Sequence, residues 1–145
     1  MKIALGYDPN AKDLACLIEE QCRKDGHETV LLGGDDPVYA NTAIQVAEYV
    51  TQGHADRGIL LCGTGIGMSI AANKVKGAYA ALLSDSYSAG RAAVSNDANI
   101  ACLGAFTLGP KLACELVHIW LGSTFAAGTP SEDKVRRYKE YDHQR

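Results

Sequence analysis

Cys62 closes an apolar run, Gly58-Ile59-Leu60-Leu61-Cys62, and glycine follows at alternate positions, Gly63, Gly65 and Gly67, before a helical pattern begins. Such a run reads as a buried strand entering a tight turn and then a helix start, which turns the thiol toward a cleft. The glycines let bare backbone N–H groups approach a bound molecule, and the helix start adds a positive dipole end. A reactive group beside an anion cradle supplies two parts of a proton-transfer site. One group takes a proton while the other holds the oxyanion that develops.

Other glycine loops do not fit these letters. No lysine stands where a P-loop requires one, and the spacing Gly63, Gly65, Gly67 on the third strand is not the Gly-x-Gly-x-x-Gly of a dinucleotide site. A cysteine phosphatase would need arginine where Met68 stands, and a phospho-receiver would need aspartate in place of Cys62. The plainer reading is a glycine turn with an incidental buried cysteine, because free cysteine often serves as a small core residue.

The elements that must position Cys62 alternate between strand and helix. Strands are expected at Ile3–Tyr7, Glu28–Leu32, Gly58–Cys62, Ala78–Leu83 and Asn99–Leu103. Helices are expected at Asp13–Lys24, Tyr39–Thr51, Gly67–Val75, Ser86–Val94, Pro110–Leu121 and Glu132–Tyr141. Near-continuous apolar strands between helices predict an α/β fold: a Rossmann-like, doubly wound five-stranded parallel sheet with helices on both faces. With no linker or repeat to divide it, the chain reads as a single domain over 1–145.

The 145 residues carry a net charge of −3 and no clustered basic stretch beyond a short C-terminal group, so nothing marks a nucleic-acid footprint. No apolar run approaches the ~18 residues of a membrane span. The start, Met1-Lys2-Ile3-Ala4-Leu5-Gly6, reads as a strand rather than a signal peptide. Five cysteines (Cys16, Cys22, Cys62, Cys102, Cys114) form no Cys-x-x-Cys pair and read as reduced thiols of a cytoplasmic protein. His27, His54, His118 and His143 lack metal-ligand spacing, so no metal is expected.

In a sheet of this kind ligands bind beyond the C-terminal strand ends. Those ends deliver Asp8, then Asp35, Asp36 and Tyr39, then Cys62 to Gly67, then Ser84, Asp85 and Tyr87, and finally Gly104 to Thr107. Asn96, Asp97 and Asn99 fall at the opposite end, out of reach of the same subunit's pocket but within reach of a neighbour's.

Six stretches run in order along the chain. They are Gly6-Tyr7-Asp8, Pro37-Val38-Tyr39-Ala40, Cys62 through Gly67 leading into Ala71-Ala72-Asn73-Lys74, Asp85-Ser86-Tyr87-Ser88-Ala89, Asn96-Asp97-Ala98-Asn99, and Trp120-Leu121-Gly122. Together they resemble the ribose-5-phosphate isomerase B family, which includes the galactose-6-phosphate isomerase subunits, over nearly the whole length. The resemblance implies a metal-free, cofactor-free aldose–ketose isomerase that works on a sugar phosphate through a cis-enediol. It also implies a homodimer or tetramer with composite active sites. Carried across residue by residue, Cys62 would move the proton between C1 and C2, as a thiolate favoured by the helix start and loop N–H groups. Thr64 would bind substrate oxygens. The backbone of Gly63, Gly65, Ile66, Gly67, Met68 and Ser69 would hold the enediolate, and Asp8 would shuttle the hydroxyl proton. Tyr39 would line the substrate site. Asn96, with Ser95 and Asp97 beside it, would reach the substrate from the partner. The last helix, about 131–142, would pack at a subunit interface. The bland alternatives are that Asp8 caps a helix and that Asn96 and Asp97 shape a turn.

The departures bear on substrate. The family usually has Asp-His after the first strand, where this chain has Asp8-Pro9. It usually has a ring-opening histidine where Ser95 stands, and Gly-Ser-Arg where this chain has Gly104-Ala105-Phe106. Gly-Arg-His near the C-terminus becomes Gly128-Thr129-Pro130. Phosphate would fall to Lys134, Arg136 or Arg137, whose alternative role is a solvated helix face. Losing the ring-opening group makes sense for a tetrose 4-phosphate, which has its O4 esterified and cannot close a furanose. The stretch Tyr87 to Asn96 also resembles family members that isomerise erythrulose 4-phosphate. Ribose 5-phosphate stays open, with Ser95 or water relaying the proton. A partner-dependent or non-catalytic sugar-phosphate-binding subunit is the competing class, and the retained Cys62 argues against it.

Overall fold

The computed structural model describes all of residues 1–145. Five strands form one parallel sheet: β1 (Lys2–Tyr7), β2 (Glu28–Leu31), β3 (Arg57–Cys62), β4 (Ala80–Leu82) and β5 (Ile100–Gly104). They lie in the order β2-β1-β3-β5-β4. Six helices connect and flank them: α1 (Lys12–Lys24), α2 (Tyr39–Thr51), α3 (Ile66–Ala72), α4 (Ser86–Val94), α5 (Pro110–Leu121) and α6 (Glu132–His143). The expected Rossmann-like single domain with helices on both faces is therefore present.

Strand alternation divides the core in two. Ile3, Leu5, Ile59, Leu61, Ala101 and Leu103 face Leu14 and Ile18 of α1, Ala89 of α4, and Leu116 and Trp120 of α5. Ala4, Leu60, Cys62, Ile100 and Cys102 face Val46 and Val50 of α2 and Met68 and Ala72 of α3. Both faces of the three central strands are covered, which is why these strands read as continuous apolar runs and not as alternating ones.

Several boundaries differ from expectation for local reasons. β4 is shorter than Ala78–Leu83 because Ala78 N–H turns back to the Val75 carbonyl and Tyr79 N–H is taken by the Asn99 side chain at 2.8 Å. α3 ends at Ala72 and does not continue to Val75. The Asn73 amide bonds the Ser69 carbonyl and the Ala80 carbonyl, both at 2.9 Å, and so ties the helix end to β4. A 3-10 turn, Pro9–Ala11, precedes α1 and carries Pro9 at its first position.

β3 starts at Arg57, one residue early, and that residue has work of its own. Its guanidinium donates to the Trp120 and Ser123 carbonyls at 2.6 and 2.7 Å, which fastens the end of α5 beneath the sheet. α6 runs below the N-terminal ends of β4 and β5. Its buried Asp142 accepts the Gly77 N–H at 2.7 Å and the Tyr79 hydroxyl at 3.2 Å, and it pairs with Arg145.

Candidate active site

From β1 the chain steps outward to β2 and then returns with β3 on the other side of β1. The two crossovers leave in opposite directions, so a crevice opens beyond the C-terminal ends of β1 and β3. The register sets Tyr7 beside Leu61, and Asp8 N–H donates to the Leu61 carbonyl at 2.9 Å. Asp8 and Cys62, which are far apart in sequence, therefore end as neighbours at the crevice floor.

Cys62 is the last residue of β3 and only 5% exposed. Gly65 N–H points at its sulfur over 3.1 Å, so the turn wraps around the thiol and gives it a fixed donor. Gly65 adopts φ +77, a left-handed conformation open to glycine, and a Cβ there would lie 2.9 Å from the Leu103 backbone. Cys102 lies on the same sheet face. Burial, and next the nearby Cys62, push its thiol up, so it stays protonated as a packing group.

The backbone donors of the turn fall into two sets. Gly65 N–H is engaged by Cys62, Ile66 N–H by the Thr64 hydroxyl at 3.3 Å, and Ser69 N–H by the Gly65 carbonyl. The N–H groups of Gly63, Thr64, Gly67 and Met68 take no acceptor within the chain. Of the stretch from Gly63 to Ser69 expected to hold an oxyanion, those residues keep an N–H without a partner. Met68 is fully buried as a whole residue, so of the four its N–H is the least open to a bound molecule.

Tyr39 opens α2 and lays its ring over Gly67, where any Cβ would collide with it. Asp8 is 7% exposed. One of its oxygens accepts Asn10 N–H at 2.9 Å, so it does cap the 3-10 turn. The other oxygen has no partner within the chain.

The remaining expected residues stand at the opposite end of the sheet. Ser95 follows α4, and its hydroxyl donates to the Arg91 carbonyl at 2.9 Å. The Asn96 carbonyl accepts from the Tyr138 hydroxyl. Asp97, at φ +49, pairs with Lys139. Lys134, Arg136 and Arg137 lie along α6 on that same side. Arg136 is paired with Asp133 at 2.8 Å and approached by Glu140 at 3.7 Å, whereas Arg137 stacks over Tyr141. None of these joins Cys62 within one chain.

Two further residues meet the turn. Gly104 ends β5 against Thr64, and a Cβ there would come within 2.7 Å of the Thr64 backbone. The Phe106 ring lies over Gly63. Only the departure at Ala105-Phe106 signalled this contact in the sequence.

A family model described as Ribose/Galactose Isomerase matches residues 3–138. A D-erythrulose-4-phosphate isomerase of Pectobacterium atrosepticum is 42% identical over 148 residues, covering 99% of this chain and 97% of that protein. A ribose-5-P isomerase B of Listeria innocua is 43% identical, covering 98% and 97%. Among solved structures, the ribose-5-phosphate isomerase B of Clostridium thermocellum superposes with a TM-score of 0.92 at 38% identity, covering 99% of each chain.

Proposed function

This chain belongs to the ribose/galactose isomerase family, and from that premise we propose that it interconverts the aldose and ketose forms of an open-chain, four-carbon sugar phosphate. Phosphosugar isomerisation is common to the relatives on both sides of the substrate question. The Cys62 thiolate takes the proton from C2 of the aldose. A C1–C2 double bond forms and the carbonyl electrons move onto O1, where the free N–H groups of Gly63, Thr64, Gly67 and Met68 stabilise the charge. Asp8 passes the O2 hydroxyl proton to O1. The C2 carbonyl then forms, and the thiol returns its proton to C1.

The observation that carries the four-carbon assignment is Ser95. Where the family usually places a ring-opening histidine, this hydroxyl donates to the Arg91 carbonyl and offers no acid. A four-carbon 4-phosphate presents its carbonyl without ring opening and needs none. Relatives that act on erythrulose 4-phosphate support the same reading.

The charge distribution supports a shared site. The connections from each strand to the helix after it (8–11, 32–38, 63–65, 83–85 and 105–109) contain Asp8, Asp35, Asp36 and Asp85 but no lysine or arginine, and Lys12 and Lys111 already lie in α1 and α5. A phosphate dianion there needs cations from elsewhere, and Lys134 and Arg137 of a second copy have the right chemistry. Asn96 would come from that copy as well, with α6 at the interface.

Turnover of the purified chain on erythrose 4-phosphate and ribose 5-phosphate tests the assignment. Preference for the four-carbon sugar is expected. Preference for ribose 5-phosphate would overturn the Ser95 argument, and activity only with an added partner protein would overturn self-sufficiency.

A further inference from the structure

We propose that Phe106 is the end wall of the substrate site and sets the length of sugar it accepts, an inference that rests on the isomerase reading above. The turn after β5 is closed by Thr107 and Leu108 N–H groups donating to the Gly104 carbonyl. It is also stitched to the residues of the base. Ala105 N–H donates to the Cys62 carbonyl at 2.8 Å, and Phe106 N–H to the Gly63 carbonyl at 2.9 Å. The position of Phe106 is therefore fixed by backbone bonds to the base and to the first glycine after it.

The ring uses the room that Gly63 leaves. A Cβ on Gly63 would lie 2.8 and 2.9 Å from two carbons of the ring. Phe106 nevertheless remains 72% exposed, so it is not there to fill the core. A single exposed apolar side chain is ordinary. This one is held beside the reacting centre, on a segment that supplies no charge.

Sugars offer apolar C–H faces on which an aromatic ring packs, and the ring's edge takes space that an additional carbon unit would need. Misfit of one such unit in a shaped pocket changes discrimination by roughly 10–200-fold. Phe106 thus favours a short sugar phosphate by contact and disfavours a longer one by bulk.

The test is titration calorimetry of the wild type, Phe106→Ala and Phe106→Leu with two non-reacting aldonates, erythronate 4-phosphate and ribonate 5-phosphate. In Phe106→Ala the affinity ratio should move toward the longer acid by about tenfold or more, while Phe106→Leu, which keeps apolar bulk, stays within about threefold of wild type. A ratio unchanged within about twofold in Phe106→Ala would overturn the proposal. So would an unchanged ratio accompanied by a shift in oligomeric state, because the ring would then serve only a subunit contact. Wild-type turnover on the two aldose phosphates is read separately, so a failed substrate assignment shows there and not in the ratio.

Discussion

Gly65 donates its N–H to the sulfur of Cys62 over 3.1 Å while holding φ +77, so one residue both turns the chain and addresses the proposed base. No side chain fits there: a Cβ would lie 2.7 Å from the Leu82 side chain and 2.9 Å from the Leu103 backbone. Gly65→Ala should destabilise the protein by about 1–3 kcal/mol and cut turnover by about 100-fold or more. Denaturant melts and initial rates check both figures. Wild-type activity in this variant would show that the turn does not position the base.

Cys62→Ala should remove proton exchange at the carbon next to the carbonyl, with turnover falling about 10³-fold or further. Deuterium uptake from solvent, followed by NMR, reports the step directly. Aldonate phosphates should still bind, since the four unpartnered N–H groups remain. Near-normal exchange would remove Cys62 from the chemistry.

Asp8 caps the Pro9–Ala11 turn and, on the proposed mechanism, shuttles a proton, and one substitution separates the two. Asp8→Asn keeps an oxygen for Asn10 N–H, and with it the cap on the Pro9–Ala11 turn, but carries no proton between hydroxyls. The melting temperature should hold while kcat drops about 100-fold or more. A variant that loses stability and keeps kcat would leave Asp8 as a cap alone.

Asp142 links acidity to the docking of α6. Burial pushes its carboxyl up, but hydrogen bonds from Gly77 N–H, Arg145 and Tyr79 outweigh this and hold it below the usual carboxylate range. A depressed value means that the stabilisation is present above the unfolded carboxyl value, about 3.9, and is lost as pH falls through the folded one. Asp142→Asn should therefore cost about 1–3 kcal/mol at pH 7 and lose less than wild type on acidification below about pH 4. Melts across that window would show parallel curves if Asp142 played no part.

A shared site predicts complementation. Chains carrying Cys62→Ala, and chains carrying Lys134→Ala with Arg137→Ala, should each be inactive alone. Mixed and reassorted, half of the dimers hold one chain of each kind and one intact site, which restores about a quarter of wild-type activity. No recovery would place the phosphate cations in the same chain as the base.

Much of this architecture was legible in the residues. Apolar strands between amphipathic helices announced the parallel sheet, and Cys62 with three alternate glycines announced the turn. What stayed hidden depends on strand order and long-range contact. Nothing in the letters says that β5 inserts between β3 and β4, yet that insertion brings Gly104 and Phe106 onto Thr64 and Gly63. Arg57 reads as a polar residue at a strand edge until the end of α5 meets it. Equally, the sequence cannot say which N–H groups of the turn are already taken, because that follows from the Cys62 rotamer and the start of α3.

Cys62, the proposed base, sits at one end of the parallel strands and Lys134 and Arg137 of α6 at the other, and this separation has a genetic consequence on the shared-site reading. A lesion in α6 would disable not the chain that bears it but the site of its neighbour. Where a sound and a defective allele are expressed together in equal amounts, each mixed dimer loses the sound chain's site and gains the defective chain's, so half of all sites work and the defect would behave as recessive. Two copies arising by duplication could equally divide the labour, one keeping the base and the other the cations.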